Sequence, residues 1–321
     1  MKTSCDRNRN VVLVFGFVVA LCVTLNLHWP PNSEAGDFFS LKRDMGSPGN
    51  SKSLEESPLQ SIKQETLPRS TVKEVGPLPL DMDQEDPALA AYIRSLIAPP
   101  SKLPYNLTNP KKEHFSQYSQ TQFLMQRIFP NMKGGFFLEV GAADGELHSN
   151  TLYLERQMGW RGLLIEAFPG TYQQLLQKHR KAYSIQTALS LTNKSTEVKF
   201  RVRGTKGVLS SVWDKKAKTI ITVRALPLYA ILKALDVPVI DYLSLDIEGA
   251  EMEVLDTLPW DKVKVRVMHV EYNHLSGGKK DLVSAMEARG MRFIGTRSID
   301  AWFVCPELYR NTIKNVTQPK V

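Results

Sequence analysis

From about residue 111 onward, short apolar runs alternate with amphipathic stretches, and this alternation restricts the possible folds more than any other feature. The apolar runs lie at 136–140, 162–166, 198–202, 220–223, 242–246, 265–270, 292–295 and 302–305, and helical patterns cover 150–158 and 169–180. Strands connected in this way by helices form mostly parallel sheets that are covered on both faces. The sequence therefore predicts one α/β domain over residues 111–321, which is long enough to form its own core without disulfides.

The first 27 residues predict a membrane anchor. Residues 11–27 form an uncharged apolar run of 17 residues, VVLVFGFVVALCVTLNL, at the short end of what spans a bilayer as a helix. Lys2, Arg7 and Arg9 precede the run, so the positive-inside rule predicts a cytoplasmic tail at 1–10 and a lumenal or extracellular remainder. A cleaved signal peptide and a buried core helix are the alternatives. We expect a signal-anchor at 11–27 and a single-pass type II topology.

The segment between the apolar run and the α/β domain has the composition of a linker. Residues 28–110 contain 12 of the 19 prolines, which keep the backbone extended and predict a stem. One short helix is expected within it at 87–98, because Asp86 can cap it, Pro87 suits its first turn and its apolar residues share one face. We expect this helix to dock on the domain that follows.

The charge distribution bears on the partners that the chain can bind. The chain has a net charge of +8, of which residues 111–321 carry +9 and residues 28–110 carry −3. Basic stretches at 178–181, 199–206 and 215–218 predict a face for an acidic partner, a sulfated glycan or lipid headgroups. A merely solvated basic face is the alternative. Nucleic acid is not expected as a partner of a lumenal domain.

The three cysteines and six histidines are scattered along the chain without the spacing of a metal motif, so no metal site is expected. Asn106, Asn193 and Asn315 each begin an Asn-x-Ser/Thr triplet and are predicted to be glycosylated.

Two of the predicted strands end in residues typical of a nucleoside-binding site. The first ends in Glu139-Val140-Gly141-Ala142-Ala143-Asp144-Gly145, a small-residue turn that lets a ligand approach the backbone closely. The second ends at Glu166, where a carboxylate can accept hydrogen bonds from both hydroxyls of a ribose. The turn lacks the lysine of a phosphate-binding loop and the full glycine pattern of dinucleotide enzymes. A ligand-free turn and an ordinary helix cap are the alternatives.

A third strand ends in a group of acids. Asp246 is followed by Glu248 and Glu251, and three acids within six residues repel one another. They indicate a cation, a hydroxyl-rich ligand or a general base. The alternative is that they only favour the N-terminus of a helix, whose dipole attracts negative charge.

These segments resemble a known family. FLEVGAADGELHSNT, LLIEAFP and LSLDIEGAEMEVL are similar to the FkbM-type methyltransferase domain, and this resemblance implies a Rossmann-like fold that binds S-adenosylmethionine. In that family the positions of Glu139, Gly141, Asp144 and Gly145 face the methionine part of the cofactor, and that of Glu166 its ribose. The positions of Asp246 and Glu248 lie near the transferred methyl group and the acceptor, where the resemblance implies a catalytic role.

Further segments resemble the animal branch of that family typified by Star, a regulator of EGF receptor signalling. They are SNTLYLE, GWRG and LPWDKV, and the resemblance covers about residues 86–309. It implies a protein of the endoplasmic reticulum and Golgi membranes that assists transport of EGF-type ligand precursors, which would be its partners. An active O-methyltransferase acting on a secretory-pathway hydroxyl is the alternative. Ala143 stands where many active methyltransferases have glycine, so a repurposed fold without activity also remains open.

Overall fold

A computed structural model of the chain describes residues 76–202 and 219–308. The expected membrane anchor at 11–27, the cytoplasmic tail and most of the expected stem lie outside the described residues. Among the helices that are described, none has the length and apolar character needed to cross a membrane.

In the described part of the chain, ten strands form two sheets. They are β1 (Phe136–Val140), β2 (Arg161–Glu166), β3 (Tyr183–Gln186), β4 (Ala188–Leu189), β5 (Thr196–Val202), β6 (Thr219–Leu226), β7 (Val239–Leu245), β8 (Lys264–Glu271), β9 (Arg292–Arg297) and β10 (Asp300–Val304). The main sheet has the order β3-β2-β1-β7-β8-β10-β9. Its first five strands run parallel, and β10 runs antiparallel to both of its neighbours. The expected mostly parallel sheet is confirmed, with the strand order reversing direction at β1.

Helices cover both faces of the main sheet. They are α1 (Pro87–Leu96), α2 (Gln120–Phe123), α3 (Leu152–Met158), α4 (Pro169–Gln177), α5 (Leu228–Leu235), α6 (Glu251–Thr257) and α7 (Gly278–Ala288), and α2 continues as a π-helical turn at Leu124–Ile128. Buried residues of α1, α5, α6 and α7 pack on one face of the sheet. Those of the π-helical turn, α3 and α4 pack on the other. This is a Rossmann-like α/β fold.

The predicted strands at 198–202 and 220–223 belong to a second, smaller sheet. They are parts of β5 and β6, which pair antiparallel, while β4 pairs with β6 in parallel. The residues that connect β5 to β6, at 203–218, lie outside the described part of the chain. Phe200 and Val223 of this sheet are buried together with Ala188 and Ala225. The small sheet therefore adds an apolar layer beside the ends of β2 and β3.

Residues 76–110, which we assigned to the stem, lie against the domain. Helix α1 ends two residues before the expected boundary, and its Leu89 and Ile93 are fully buried in the same core as α5. Asp86 caps the helix by accepting a hydrogen bond from the Ala88 amide at 2.8 Å. Ala98 then forms a β-bridge with Ser184 at the edge of β3. The described part of this segment is thus held by packing and hydrogen bonds and does not behave as a free linker.

Candidate active site

A cavity of about 210 Å³ opens at the carboxyl ends of β1, β2 and β7. This is the point where the strand order reverses, and ligands of open parallel sheets bind in that crevice. Five of the seven predicted cofactor and catalytic residues line it: Glu139, Gly141, Glu166, Asp246 and Glu248. Sheet order alone arranges their strands, so that Glu166 lies on one side of the Gly141 turn and Asp246 on the other.

Gly141 allows β1 and β7 to meet at the base of the cavity. Its φ is +83°, and a Cβ atom at this position would lie 2.0 Å from the carbonyl oxygen of Asp246. Only glycine tolerates both the left-handed backbone and this close approach. The amides of Gly141 and Ala142 both donate to the carbonyl of Ile165 at 3.0 Å, which joins the turn to β2. The turn is therefore tied to both neighbouring strands.

Glu139 is held by the chain itself at the bottom of the cavity. Its carboxylate accepts hydrogen bonds from the Ser149 hydroxyl at 3.0 Å, the Asn150 amide at 2.5 Å and the Thr151 hydroxyl at 2.5 Å. Burial raises the pKa of Glu139, and the nearby Arg180 guanidinium opposes that rise. In the described structure, Glu139 therefore anchors the segment that leads into α3.

Arg180 extends this network through the interior. It is 3% exposed and forms a buried ion pair with Glu155 at 2.9 Å. It also donates to the carbonyl of Gly145 and, at 3.1 Å, to the Thr151 hydroxyl. Gly145 and Arg180 therefore connect the turn after β1 to α3.

Glu166 reaches from the end of β2 towards the same turn. One carboxylate oxygen accepts from the Ala143 amide and the other from the Phe168 amide, each at 2.8 Å. Burial raises the pKa of Glu166 to about 7, against these hydrogen bonds, which lower it. These hydrogen bonds hold the carboxylate at the wall of the cavity.

Asp144 and Gly145, the other two predicted residues of the turn, do not line the cavity. Asp144 accepts hydrogen bonds from the amides of Glu146 at 2.9 Å and Leu147 at 2.6 Å, and it lies 3.6 Å from the Lys178 ammonium.

Ala143 lines the cavity with a φ of +47°, a left-handed conformation that glycine adopts more readily. The structure therefore places the alanine that we singled out at a position suited to glycine.

Strand register brings a further acid beside Asp246. Leu245 pairs with Val270, so Asp246 and Glu271 follow side by side, and Asp300 on β10 pairs directly with Glu271. Burial raises the pKa of Asp246, and burial together with the Asp246 charge raises the pKa of Glu271 well above its usual range. These two carboxyls are hydrogen-bonded to each other.

Glu248 and His274 stand at the outer edge of this acidic group. The imidazole Nδ1 of His274 lies 3.1 Å from Glu248 and 3.4 Å from Glu271. Glu251, the third acid of the sequence motif, instead turns back to accept hydrogen bonds from the amides of Ile247 and Gly249. We did not predict Glu271 or His274 from the sequence. Glu271 could have been found, because it is a fourth acid at the end of a strand.

A buried polar network that we did not predict adjoins Asn150 and Ser244, which line the cavity. The Tyr242 hydroxyl lies 2.9 Å from Nδ1 of His269, and the Ser244 hydroxyl lies 3.2 Å from Nε2. Burial lowers the pKa of His269 to about 4, which keeps the imidazole neutral. The amide nitrogen of Asn150 donates to Ser244 at 3.1 Å, while its Oδ1 is buried without a hydrogen-bond partner among the described residues.

The basic stretch at 178–181 is largely engaged within the domain. Lys178 pairs with Glu146 at 2.7 Å, Arg180 is buried, and the Lys181 ammonium donates to the carbonyls of Ser101 and Leu103. The expected basic face therefore depends on the basic residues of β5 and on those at 203–218. Residues 203–218 lie outside the described part of the chain.

Two of the three predicted glycosylation sites are described. Asn106 and Asn193 are exposed, and Asn315 lies outside the described residues.

Comparison with known proteins shows a similarity in the region that contains most of this cavity. Residues 139–293 match the family model of the methyltransferase FkbM domain. No curated protein matches the sequence significantly.

Several solved structures share similarity with the chain. The methyltransferase FkbM from Methylobacillus flagellatus has 14% identity and a TM-score of 0.35 over 67% of this chain and 50% of its own. The Aeropyrum pernix fibrillarin with natively bound S-adenosyl-L-methionine has 12% identity and a TM-score of 0.37 over 59% of this chain and 74% of its own. TrmK from M. capricolum in complex with S-adenosyl-homocysteine has 12% identity and a TM-score of 0.32 over 60% and 68%.

The family match runs from the end of β1 to the first two residues of β9, and it includes the carboxyl ends of β1, β2 and β7 at the cavity. Residues 139–293 are therefore similar to the methyltransferase FkbM domain, and they lie on a Rossmann-like α/β fold.

Proposed function

We propose that this protein is an S-adenosylmethionine-dependent methyltransferase that acts on a hydroxyl group. One observation carries the proposal: Glu166, the Gly141 turn and Asp246 line a single cavity in that spatial order at the reversal of strand order. A ligand that lies across β2, β1 and β7 would meet a ribose-binding acid, a bare backbone and a second acid in succession. The FkbM family match over the same residues supports this reading.

The side of the cavity near Glu166 suits a purine base. Its wall is apolar and comes from Ile165, Ala167, Leu189 and Phe200, the last of which belongs to the small sheet. A flat apolar wall beside a carboxylate is the arrangement that a nucleoside needs, because the base leaves water while the ribose hydroxyls keep hydrogen bonds.

The opposite side of the cavity suits the amino-acid part of the cofactor. Oδ1 of Asn150 is buried there without a hydrogen-bond partner among the described residues, although the side chain lines the cavity. An unsatisfied buried acceptor costs free energy that a bound ammonium group would recover. We therefore assign the methionine end of the cofactor to the region of Asn150 and Ser244.

S-adenosylmethionine supplies an electrophilic methyl group when bound, and the chain has to position the acceptor and remove its proton. Asp246 and Glu248 both line the cavity beyond the Gly141 turn. We assign them the task of orienting the acceptor hydroxyl and accepting its proton as the oxygen attacks the methyl carbon. This geometry favours an oxygen acceptor, since carboxylates bind hydroxyl protons well.

The proposal is tested by calorimetric titration of the full chain with S-adenosylmethionine. We expect one site, and we expect Glu166→Gln to weaken binding about 10- to 100-fold, the range for losing hydrogen bonds to a charged group. Glu287→Gln on the exposed face of α7 is the matched control and should leave binding unchanged. Absence of a binding heat with the parent protein would overturn the proposal.

A second proposal concerns the setting in which the domain acts. The apolar run at 11–27, the Star-like motifs and the exposure of Asn106 and Asn193 support a type II protein of the endoplasmic reticulum and Golgi membranes. In that setting we propose EGF-type ligand precursors as cargo, with the basic residues of β5 and 203–218 facing an acidic partner or a sulfated glycan.

Topology and cargo can be tested separately in cells. We expect the domain to be protected from protease in sealed microsomes. We also expect a glycosidase-sensitive mass shift that is reduced in the double variant Asn106→Gln, Asn193→Gln and lost when Asn315→Gln is added. Cleavage of the domain in intact microsomes would contradict the topology. Unchanged delivery of EGF-type precursors to the Golgi in cells that lack the protein would contradict the cargo.

A further inference from the structure

The outer edge of the acidic group contains three side chains with suitable ligand atoms for a cation. Glu248, Glu271 and His274 each offer one ligand atom, and these atoms all lie within 4.8 Å of one another. Nδ1 of His274 is 3.1 Å from Glu248 and 3.4 Å from Glu271. Octahedral coordination at about 2.0–2.1 Å places neighbouring ligand atoms about 3 Å apart, so these two separations resemble the edges of such a coordination shell.

An independent observation concerns the second oxygen of Glu271. Glu271 is 5% exposed, and its Oε2 accepts no hydrogen bond from any of the described residues. The His274 nitrogen lies 3.4 Å from this oxygen and 3.1 Å from Glu248. A buried carboxylate oxygen that accepts no hydrogen bond is an acceptor that a cation would satisfy.

The charge balance points the same way. Asp246, Glu251 and Glu271 also offer ligand atoms within 4.8 Å of one another, and Glu271 belongs to the group with Glu248 and His274 as well. Four carboxyls are thus crowded together, and a divalent cation would offset the repulsion between their charges.

We propose that Glu248, Glu271 and His274 bind a hard divalent cation, Mg²⁺ or Mn²⁺, at the edge of the cavity, with Asp246 beside it. Oxygen ligands with one imidazole suit these ions, and the half-exposed His274 leaves coordination positions open to water or to a ligand. Glu251 is not among the ligands, because backbone amides already occupy its oxygens.

The role of this cation rests on the proposed function, although its binding does not. Since Glu248 also lines the cavity, a cation there would face the acceptor. The acceptor class it favours has two neighbouring oxygens, such as a vicinal diol, because two oxygens can occupy adjacent open positions of one cation.

The test uses Mn²⁺ as the probe and the full chain without S-adenosylmethionine. Loss of the free Mn²⁺ electron paramagnetic resonance signal on adding protein measures binding, and we expect one site per chain. Glu271→Gln and His274→Gln should each weaken binding by at least about 10-fold, while Glu287→Gln should not change it. Because His274 is half-exposed, His274→Gln keeps the test informative even if Glu271→Gln impairs folding.

Each outcome decides the proposal. No Mn²⁺ binding up to millimolar concentration, or binding that neither ligand variant weakens, overturns it. Mn²⁺ binding with no binding of S-adenosylmethionine would leave the cation site standing and remove the proposed function. Binding of S-adenosylmethionine without Mn²⁺ binding would leave the proposed function standing and remove the cation site.

Discussion

Gly141→Ala is the substitution that tests most directly how the cavity is built. The Cβ atom would lie 2.0 Å from the carbonyl oxygen of Asp246 and 3.2 Å from its carbonyl carbon. Both atoms are backbone, so no side-chain rotation can relieve the overlap. β1 and β7 must therefore move apart at the point where both contribute to the cavity.

Two costs add in this variant. The left-handed conformation at a φ of +83° costs a residue with a Cβ atom about 1–2 kcal/mol relative to glycine. Forcing an extra carbon into packed structure typically costs a further ~1–3 kcal/mol. We therefore expect Gly141→Ala to lower the free energy of unfolding by about 2–5 kcal/mol and to abolish binding of S-adenosylmethionine at micromolar concentration.

Gly159→Ala separates the two costs. Gly159 ends α3 with a φ of +65°, but a Cβ atom there would meet no atom within 4 Å. This variant should lose only about 1–2 kcal/mol and keep its cofactor affinity. Urea unfolding, monitored by circular dichroism, measures the free energy of unfolding of both variants. If Gly141→Ala is no less stable than Gly159→Ala, the close approach of β1 to β7 is not what requires glycine, and our reasoning fails.

Three further predictions concern the pH dependence, the interior and the first helix. Burial raises the pKa of Glu166 to about 7, so the ligand-free fold favours the protonated acid and loses this contribution to stability as pH rises through 7. A ribose needs the ionised form, so calorimetry should show affinity for S-adenosylmethionine rising up to about tenfold per pH unit towards pH 7 and then levelling, whereas Glu166→Gln should show no such rise. Arg180→Met should cost about 3–5 kcal/mol in urea unfolding because it strands the buried Glu155 carboxylate, and adding Glu155→Met should recover part of that loss. Ile93→Ala should cost about 2–5 kcal/mol, since Ile93 is fully buried; a loss near zero would mean that the segment before residue 111 is a free linker after all.

The local sequence pattern was sufficient to predict the strands around the cavity. β1 and β2 consist of apolar runs with defined ends, and β7 ends next to the acid that the pattern marked. Each of these strands ends in, or is followed by, a glycine or an acid that lines the cavity. β3 was missed because it mixes polar and apolar residues, and β4 because it has only two residues. They pair with β2 and β6.

The roles of individual side chains depended on contacts that the pattern does not contain. Glu139 has the spacing of a ligand residue, yet three donors from 149–151 already occupy its carboxylate. Arg180 belongs to a basic stretch, yet it is buried against Glu155. In both cases the partner lies 10 or more residues away along the chain, so its presence follows from packing and not from composition.

The sequence by itself determined the fold class and the sites at which acids end strands, because both follow from local periodicity and turn chemistry. Only the tertiary structure decided which of those acids meet. Register between β7, β8 and β10 places Asp246, Glu271 and Asp300 side by side, and the segment after β8 adds His274. The physical reason is that strand pairing joins residues that are distant in the chain, and burial then makes their charges interact strongly.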